Sequence, residues 1–367
     1  MLGLRLLGLL GHRGRLADRR RRLHASDPAA ARALTALSTA LVGFGHAGRV
    51  FHGPLITDDA RFSLDLVVTS DPGRAADAAR LHPRARVVAD PAEALAARPD
   101  LVVVASPPAT HVAVATAALD AGCAVVVDKP LGPDPAQART LIEHAEALGL
   151  PLTVFHNRRW DSEFLTLQRL LADGALGRVR RLESRLERWK TAETKPWKAA
   201  ATWREGGGVL FDLGSHLLDQ ALALLGPVTD VHAELDAVRG GADDDAFVSL
   251  AHAGGVRSHI RVSTTTADPG PRLRVVGTDA TFVTVTGDGQ EAQLAAGTRP
   301  SAPGYGHGDD GRLVTAEGSR PVPSEPGRYQ DFYGLLAVAL LEGGPLPVDP
   351  RDALAVVELV EGIHRRV

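Results

Sequence analysis

Short apolar runs alternate with helical patterns over the first half of the chain, from Thr39 to about residue 156. The apolar runs are 40–42, 64–68, 86–88, 101–104, 124–127 and 152–155, and alanine-rich segments of helical spacing lie between them at 74–81, 109–121 and 135–148. Uninterrupted apolar strands that alternate with helices are typical of a parallel sheet covered on both faces. The pattern therefore predicts a doubly wound α/β domain of the Rossmann type over 38–155.

The pattern changes in 156–367. Residues 178–189 alternate charged and apolar side chains, and further strand-like segments lie at 228–238, 245–252, 256–264, 272–277 and 281–285. Gly, Asp and Pro clusters separate most of them without a helix-length insert, which predicts an α+β domain with a mostly antiparallel sheet. Helices are predicted at 209–225, 329–342 and 350–366. The Gly-, Pro- and Ser-rich stretch 287–327 is predicted to be an exposed loop.

The composition is that of an ordinary globular protein. Of the 367 residues, 44% are hydrophobic and 23% are charged, and the formal net charge is −3. This balance does not suggest nucleic acid or an anionic membrane as a partner, so a small molecule is expected. The single cysteine, Cys123, excludes an internal disulfide, is expected to fill apolar space, and favours a reducing, cytoplasmic compartment. No stretch reaches the roughly 20 apolar residues of a transmembrane helix.

The first 37 residues differ from the rest in charge. Eight arginines face only two aspartates there, and four of the arginines are consecutive at 19–22. The apolar stretch 2–10 precedes the positive cluster, which is the reverse of the order in a secretory signal, and no apolar run follows the arginines as in a twin-arginine signal. We expect 1–37 to be a disordered leader or the product of a start codon assigned too far upstream, with a targeting role as the alternative.

A glycine-rich segment follows the first predicted strand and precedes a helical pattern. It has the form G-x-G-x-x-G and consists of Gly43, Phe44, Gly45, His46, Ala47 and Gly48. In a βαβ unit the first glycine permits the tight turn, the second lets the backbone approach a pyrophosphate, and the third lets the helix pack on the strand. The helix N-terminus then faces the anion. The segment predicts a dinucleotide site, with a glycine-rich turn without ligand as the alternative.

The end of the second predicted strand indicates which dinucleotide is bound. An NAD enzyme usually places an acid there for the ribose hydroxyls, whereas an NADP enzyme must accommodate a 2′-phosphate. Asp71 opens an Asp-Pro-Gly turn, so its carboxylate is expected to shape the loop. Ser70 and Arg74 then suit a phosphate, which favours NADP, with NAD as the alternative.

Polar segments follow the later predicted strands, at the edge of the sheet where ligands bind. They are Ser106-Pro107 with His111 soon after, Asp128-Lys129, and His156-Asn157-Arg158. Lys129 is expected near a nicotinamide and is unusual, because only four of the 41 basic residues are lysine. Arginine cannot lose a proton at working pH, whereas lysine can, so a proton relay would explain the choice. A surface lysine placed there by chance is the alternative.

The predicted helix 209–225 carries a second candidate pair, Asp212 and His216. Residues four apart share one helical face, and a carboxylate beside an imidazole suits proton transfer from a substrate hydroxyl. A helix-capping Asp212 and a core His216 are the alternative. No metal is expected, because no third ligand has recognisable spacing.

These segments resemble the Gfo/Idh/MocA oxidoreductase family over about 39–367. The motifs that carry the resemblance are the glycine fingerprint at 43–48, Phe51-His52-Gly53-Pro54, Asp128-Lys129-Pro130, His156-Asn157-Arg158-Arg159-Trp160-Asp161, and the Asp212/His216 helix. The last two are similar to a branch that contains NADP-dependent inositol dehydrogenases. The chain departs from the family where Asp128 stands in place of the usual glutamate, and the leader has no family counterpart.

The resemblance implies a Rossmann domain followed by a domain with an open-faced antiparallel sheet, often oligomeric through that sheet. It implies that Lys129, Asp212 and His216 are catalytic, and that the enzyme oxidises the CH-OH group of a cyclitol or sugar with NAD(P). Candidate cofactor residues are then the glycine segment, Ser70, Arg74, Ser106, Pro107, His111 and Asp128, and candidate substrate residues are Asn157, Arg158, Trp160 and Asp161. The alternatives are a hydrolase that retains its dinucleotide and a non-catalytic redox sensor.

Overall fold

The computed structural model describes residues 36–190 and 202–367, so nearly all of the predicted leader lies outside the described residues. The described chain forms two compact units. Unit 1 comprises 36–128, 137–155 and 330–350, and unit 2 comprises 129–136, 156–190, 202–329 and 351–367.

Unit 1 contains a sheet of six parallel strands in its described residues. The strands are β1 (Leu37–Val42), β2 (Phe62–Val68), β3 (Arg86–Val88), β4 (Leu101–Val104), β5 (Ala124–Asp128) and β6 (Leu152–Phe155). Their spatial order is β3-β2-β1-β4-β5-β6. Every residue of β4 and β6 is buried, which explains why these strands appear in the sequence as continuous apolar runs. The predicted doubly wound fold is confirmed.

The described residues contain ten α-helices. They are α1 (Gly53–Asp58), α2 (Pro72–Leu81), α3 (Pro91–Ala96), α4 (His111–Asp120), α5 (Pro135–Leu148), α6 (Ser162–Ala172), α7 (Ser215–Leu225), α8 (Gln290–Ala295), α9 (Gln330–Glu342) and α10 (Pro350–His364). A π-helical turn, Ala47–His52, leads into α1, and a second one, Leu210–Gly214, leads into α7. Short 3₁₀ turns occupy Pro108–Thr110, Asn157–Trp160 and Trp203–Glu205.

Unit 2 contains an eight-stranded sheet in its described residues. The strands are β7 (Val179–Glu187), β8 (Val228–Asp236), β9 (Asp245–His252), β10 (Arg257–Ser263), β11 (Leu273–Gly277), β12 (Thr281–Thr284), β13 (Gly311–Val314) and β14 (Ser319–Val322). Their order is β14-β13-β12-β11-β7-β10-β9-β8, and every neighbouring pair is antiparallel except β7 and β10. The predicted mostly antiparallel sheet is confirmed.

One face of this sheet forms the core of unit 2 with α7. Residues of β9 alternate between buried and partly exposed, as expected for a strand covered on one side. The buried face contributes Val248, Leu250 and Ile260 to the same apolar cluster as Leu217 and Leu218 of α7. The stretch Trp203–Leu225 is long and apolar enough to cross a membrane by length and composition, and most of it is buried in this core.

The structure corrects the prediction of a loop over 287–327. This stretch contains α8 and the strands β13 and β14, of which β14 is an edge strand of the sheet. Leu294, Leu313 and Val322 are buried, and they are nearly the only apolar anchors of these short elements. The surrounding glycines and prolines therefore concealed these elements, of which β13 is stabilised by pairing with β12 and β14 by pairing with β13.

The two units meet at the predicted boundary, 155/156, but two further segments are assigned differently from the prediction. Helix α9 belongs to unit 1, and 129–136 belongs to unit 2. Ring contacts explain the position of α9, because Phe332 lies 4.9 Å from Phe155 and Tyr333 lies 5.6 Å from Phe62 between ring centroids. At the start of unit 1, β1 already includes Leu37, which the sequence analysis assigned to the leader.

Candidate functional site

The glycine segment of unit 1 forms a turn with an open centre. Gly43 has a φ of +101°, and a Cβ there would collide with the Ala105 carbonyl oxygen; a Cβ at Gly48 would collide with the Gly43 carbonyl. No atom lies within 4 Å of a Cβ built at Gly45. The outer two glycines are therefore required by the fold, whereas the middle one leaves its backbone accessible. This is the cradle that a pyrophosphate group needs, so the residues present fit a dinucleotide.

The side chains of this segment differ in their surroundings. Phe44 is buried, and its ring makes an edge contact with His82 at 5.7 Å, so its side chain supports the turn. His46 is exposed and Ala47 is half-buried. Of the six predicted residues, Phe44 can therefore serve a ligand only through its backbone in this structure.

The predicted ribose end lies between β2 and α2. Asp71 is the N-cap residue of α2, and its side chain accepts a hydrogen bond of 2.8 Å from the Arg74 backbone N–H. The prediction that Asp71 shapes the turn is confirmed. The side chains of Ser70 and Arg74 are exposed beside it.

The segment after β4 is tied together by local hydrogen bonds. His111 is buried, and its Nε2 lies 2.8 Å from the Ser106 carbonyl oxygen. Ser106 Oγ lies 2.6 Å from Thr110 Oγ1, and Thr110 Oγ1 donates to the Pro107 carbonyl at 2.7 Å. His111 therefore supports this turn from beneath, while Ser106 is partly exposed and Pro107 is exposed at its surface.

Lys129 and Asp212 lie together in unit 2. Lys129 Nζ donates to the backbone oxygen of Asp212 at 2.6 Å and to its Oδ1 at 3.2 Å. The Lys129 side chain is 15% exposed and that of Asp212 is 33% exposed. The pair is thus mostly withdrawn from water but still accessible to a small molecule.

His216 lies one turn after Asp212 and is buried. Its Nδ1 makes no hydrogen bond to a described residue. Burial and the positive charges of Lys129, Arg158 and Arg272 lower the pKa of His216 well below its ordinary value. The imidazole is therefore neutral at neutral pH and able to accept a proton.

The π-helical turn that carries Asp212 is held in place by Asp243, which in turn contacts the C-terminal helix α10. The Asp243 carboxylate accepts a hydrogen bond of 2.8 Å from Leu210 N–H, and His364 Nε2 of α10 lies 3.1 Å from the other Asp243 oxygen. Gly208 has a φ of +90°, and a Cβ there would collide with Asp243. The preceding glycines and α10 therefore fix the start of the π-helical turn.

The His-Asn-Arg-Arg-Trp-Asp segment is mostly internal. Arg159 makes a two-pronged ion pair with Asp219, with distances of 2.8 and 2.6 Å. Asp161 has no exposed surface, accepts a 2.7 Å hydrogen bond from Tyr329 Oη, and pairs with Arg158 at 3.3 Å.

Protein groups therefore hold the Asp161 carboxylate, which does not contact solvent in this structure. Asn157 and Trp160 are also buried. Arg158, with 21% of its side chain exposed, is the most accessible of the four residues predicted to bind substrate.

Two further carboxyl groups lie near Asp161, that of the buried Glu163 and that of the partly buried Asp288. Burial and the charge of Asp161 raise the pKa of Glu163 to about 8, although Arg272 Nε lies 3.1 Å from Glu163 Oε1. The same two causes raise the pKa of Asp288 to about 6. Sequence reasoning missed this cluster and the Arg159–Asp219 pair, since their partners are far apart in the chain and follow no motif. Within the described residues, no group of three or more His, Cys, Asp or Glu side chains is arranged to hold a metal ion.

The comparisons with known proteins agree with this geometry. Residues 37–156 match the family model described as "Oxidoreductase family, NAD-binding Rossmann fold", and residues 164–283 match "GFO/IDH/MocA C-terminal domain". The fold and the glycine cradle therefore define an NAD-binding oxidoreductase. The chain belongs to the GFO/IDH/MocA family, as the sequence motifs predicted.

Individual relatives span nearly the whole chain. An uncharacterized oxidoreductase, YdgJ, of Escherichia coli is 37% identical over 88% of this chain and 93% of its own length. The scyllo-inositol 2-dehydrogenase (NADP(+)) IolW of Bacillus subtilis is 31% identical over 90% of this chain and 93% of its own. A crystal structure of an oxidoreductase from Klebsiella pneumoniae superimposes with a TM-score of 0.81 at 35% identity, covering 90% of this chain and 92% of the other.

Proposed function

We propose that this protein is an NADP-dependent dehydrogenase that oxidises a secondary hydroxyl of a cyclitol or sugar to the ketone and catalyses the reverse reduction. The observation that carries the proposal is the pairing of Lys129 with Asp212 near a His216 whose pKa is lowered. Removing hydride from a carbinol requires the hydroxyl proton to leave as well. A neutral imidazole beside an ammonium group is suited to that step.

The roles of the three side chains follow from their charges. His216 accepts the hydroxyl proton, because its lowered pKa keeps the imidazole unprotonated. Lys129 stabilises the negative charge that develops on the substrate oxygen and relays the proton. Asp212 holds the ammonium group through two oxygens, which fixes its direction. When bound, the nicotinamide supplies the hydride acceptor or donor.

Unit 1 supplies the residues that would hold the dinucleotide. The open backbone at Gly45 suits the pyrophosphate. Ser106 and Pro107 follow β4, and Asp128 ends β5, at the same edge of the sheet. Ser70 and Arg74 support NADP, because both are exposed and the Asp71 carboxylate is engaged as a helix cap. The NADP dependence of the Bacillus relative supports the same choice.

A polyhydroxylated substrate is supported by the same relative, which is named for scyllo-inositol. Arg158 is the accessible donor beside the buried Asp161, so we assign it to a substrate hydroxyl.

We further propose a homo-oligomer formed through the partly exposed face of the unit 2 sheet, and a cytoplasmic location in keeping with the lone, buried Cys123. Analytical ultracentrifugation of the purified protein would test whether it forms a homo-oligomer.

A panel of inositols and sugars, assayed at 340 nm with NADP and with NAD, tests the proposal. We expect at least one cyclitol or sugar to give substrate-dependent NADPH formation, with NADP preferred over NAD. Release of a free sugar from a glycoside without net NADPH formation would favour the hydrolase instead. Tight NADPH binding with no turnover of any polyol would favour a redox sensor.

A further inference from the structure

Three side chains of unit 1 form a buried chain that ends at Asp128. Tyr333 of α9 and His52 at the end of the first π-helical turn have no exposed surface, and Tyr333 Oη lies 2.7 Å from His52 Nδ1. On the other side of the ring, His52 Nε2 lies 3.8 Å from Asp128 Oδ1 and makes no hydrogen bond to a described residue. The His52 ring is packed against Phe155, with 4.4 Å between centroids. The imidazole is therefore held in place between a phenol and a carboxylate.

Electrostatics favours one neutral tautomer of this imidazole. If Nδ1 carried the proton, it would donate to Tyr333, and the Nε2 lone pair would face the Asp128 carboxylate. If Nε2 carries the proton, Tyr333 donates to Nδ1, and the N–H dipole points towards the carboxylate. Burial and the charge of Asp128 raise the pKa of Tyr333 well above its ordinary value, so the phenol keeps its proton and can act as the donor.

We propose that His52 is a positioning residue for Asp128, fixed by Tyr333 in the tautomer whose Nε2–H faces the Asp128 carboxylate. Asp128 ends β5, and Lys129 is the next residue in the chain. An oriented Asp128 therefore fixes the backbone from which the Lys129 side chain departs. The effect on turnover rests on the proposed dehydrogenase function, whereas the tautomer does not.

The tautomer can be read directly by NMR of protein labelled with 15N-histidine. Of the 14 histidines, His52 is assigned as the signal that the His52→Gln variant loses. We expect long-range 1H–15N correlations to show the Nε2–H form in the wild type. The Tyr333→Phe and Asp128→Asn variants each remove one partner with little change in shape, and we expect both to shift the two ring nitrogen signals. An Nδ1–H tautomer in the wild type, or unchanged signals in both variants, would overturn the proposal.

Kinetics tests the positioning role. We expect His52→Leu to lower kcat about tenfold or more, and His52→Gln to recover most of the loss because its side-chain N–H replaces the imidazole Nε2–H. His144→Gln is the matched control, because His144 also lies close to a carboxylate, Asp120 at 2.9 Å, but on the surface of unit 1. Equal kcat losses in His52→Leu and His52→Gln, with both variants folded, would refute positioning. If the wild type turns over no polyol, the proposed function fails, and the NMR result still decides the tautomer.

Discussion

Lys129 Nζ donates to two oxygens of Asp212, a residue 83 positions away in the chain: the backbone carbonyl at 2.6 Å and the carboxylate at 3.2 Å. Two acceptors from one residue define the direction of an ammonium group better than a single carboxylate can. The arrangement leaves the third N–H of the ammonium group to other partners. It also explains the use of lysine, since a planar guanidinium has a different donor geometry.

We expect Lys129→Met to lower kcat by roughly 10²- to 10⁴-fold, which is the usual range for the loss of an acid-base group. NADPH affinity should stay within a few-fold, because the glycine turn of unit 1 supplies the pyrophosphate cradle. The measurement is steady-state kinetics with the best polyol, together with fluorescence titration of NADPH. Lys190→Met is the control, since Lys190 uses its backbone N–H to bond Thr264.

Lys129→Arg separates proton relay from charge alone. Arginine keeps the positive charge but does not release a proton at working pH. We therefore expect the arginine variant to be nearly as slow as the methionine variant. Near-normal kcat in Lys129→Arg would refute the relay and leave only electrostatic stabilisation.

The charge of Lys129 should also be visible in the titration of His216. Lys129 is the largest of the charges that lower the pKa of His216, after burial itself. Removing a positive charge makes the imidazolium less unfavourable, so Lys129→Met should raise the pKa of His216. NMR titration of the His216 ring protons measures this without substrate. The control is Arg365→Met, which removes a surface charge paired with Glu361 and should leave the His216 titration unchanged. An unchanged His216 pKa in Lys129→Met would show that Lys129 and His216 are not coupled.

Sequence pattern predicted unit 1 better than unit 2, for a physical reason. Strands such as β4 are buried on both faces and are covered by helices, so each appears as an apolar run. Strands β13 and β14, at one end of the sheet, bury few apolar side chains, namely Leu313 and Val322. Apart from the partly exposed Val314, their other residues are polar, glycine or proline. Their stability comes from the pairing of β13 with β12 and of β14 with β13, which no local pattern records.

The candidate site, too, could be predicted from the sequence only in part. The rule that ligands lie beyond the carboxyl ends of parallel strands was enough to predict Asp128 and Lys129 as candidate site residues from the sequence. The partners of these residues were not predictable in the same way. Tyr333 lies 281 residues from His52, and the contact depends on α9 returning to unit 1. Periodicity and motif spacing carry no information over such a separation.

We expect Arg74→Ala to weaken NADPH binding about tenfold or more, which corresponds to the loss of one charge-assisted hydrogen bond. NADH binding should hardly change, because NADH has no 2′-phosphate. Fluorescence titration of both cofactors provides the comparison. Arg80→Ala on the same helix is the control, since Arg80 pairs with Asp77. Equal losses for both cofactors in Arg74→Ala would remove this side chain from the phosphate site.

The buried Glu163 should make the stability of unit 2 depend on pH. Its pKa is raised to about 8 in the folded protein by burial and by Asp161, whereas the unfolded value is near 4.3. Between these two values the folded state binds more protons than the unfolded state, so the free energy of unfolding falls as pH rises. The unfavourable contribution is absent below about pH 4, grows through neutral pH, and is complete above about pH 8.

Glu163→Gln removes this titration while keeping the size of the side chain. We expect the variant to gain stability relative to the wild type between pH 5 and pH 8, by more than about 1 kcal/mol, since each unit of pKa shift corresponds to about 1.4 kcal/mol. Urea unfolding followed by tryptophan fluorescence measures it, because all four tryptophans lie in 160–203 and report on the part of the chain that contains Glu163. The variant can be less stable overall, since Arg272 loses one of the carboxyl oxygens beside it. The decisive quantity is how the difference in the free energy of unfolding between the variant and the wild type changes with pH. The surface variant Glu361→Gln is the control and should show no such change. A difference that stays constant with pH would mean that Glu163 is ionised throughout this range.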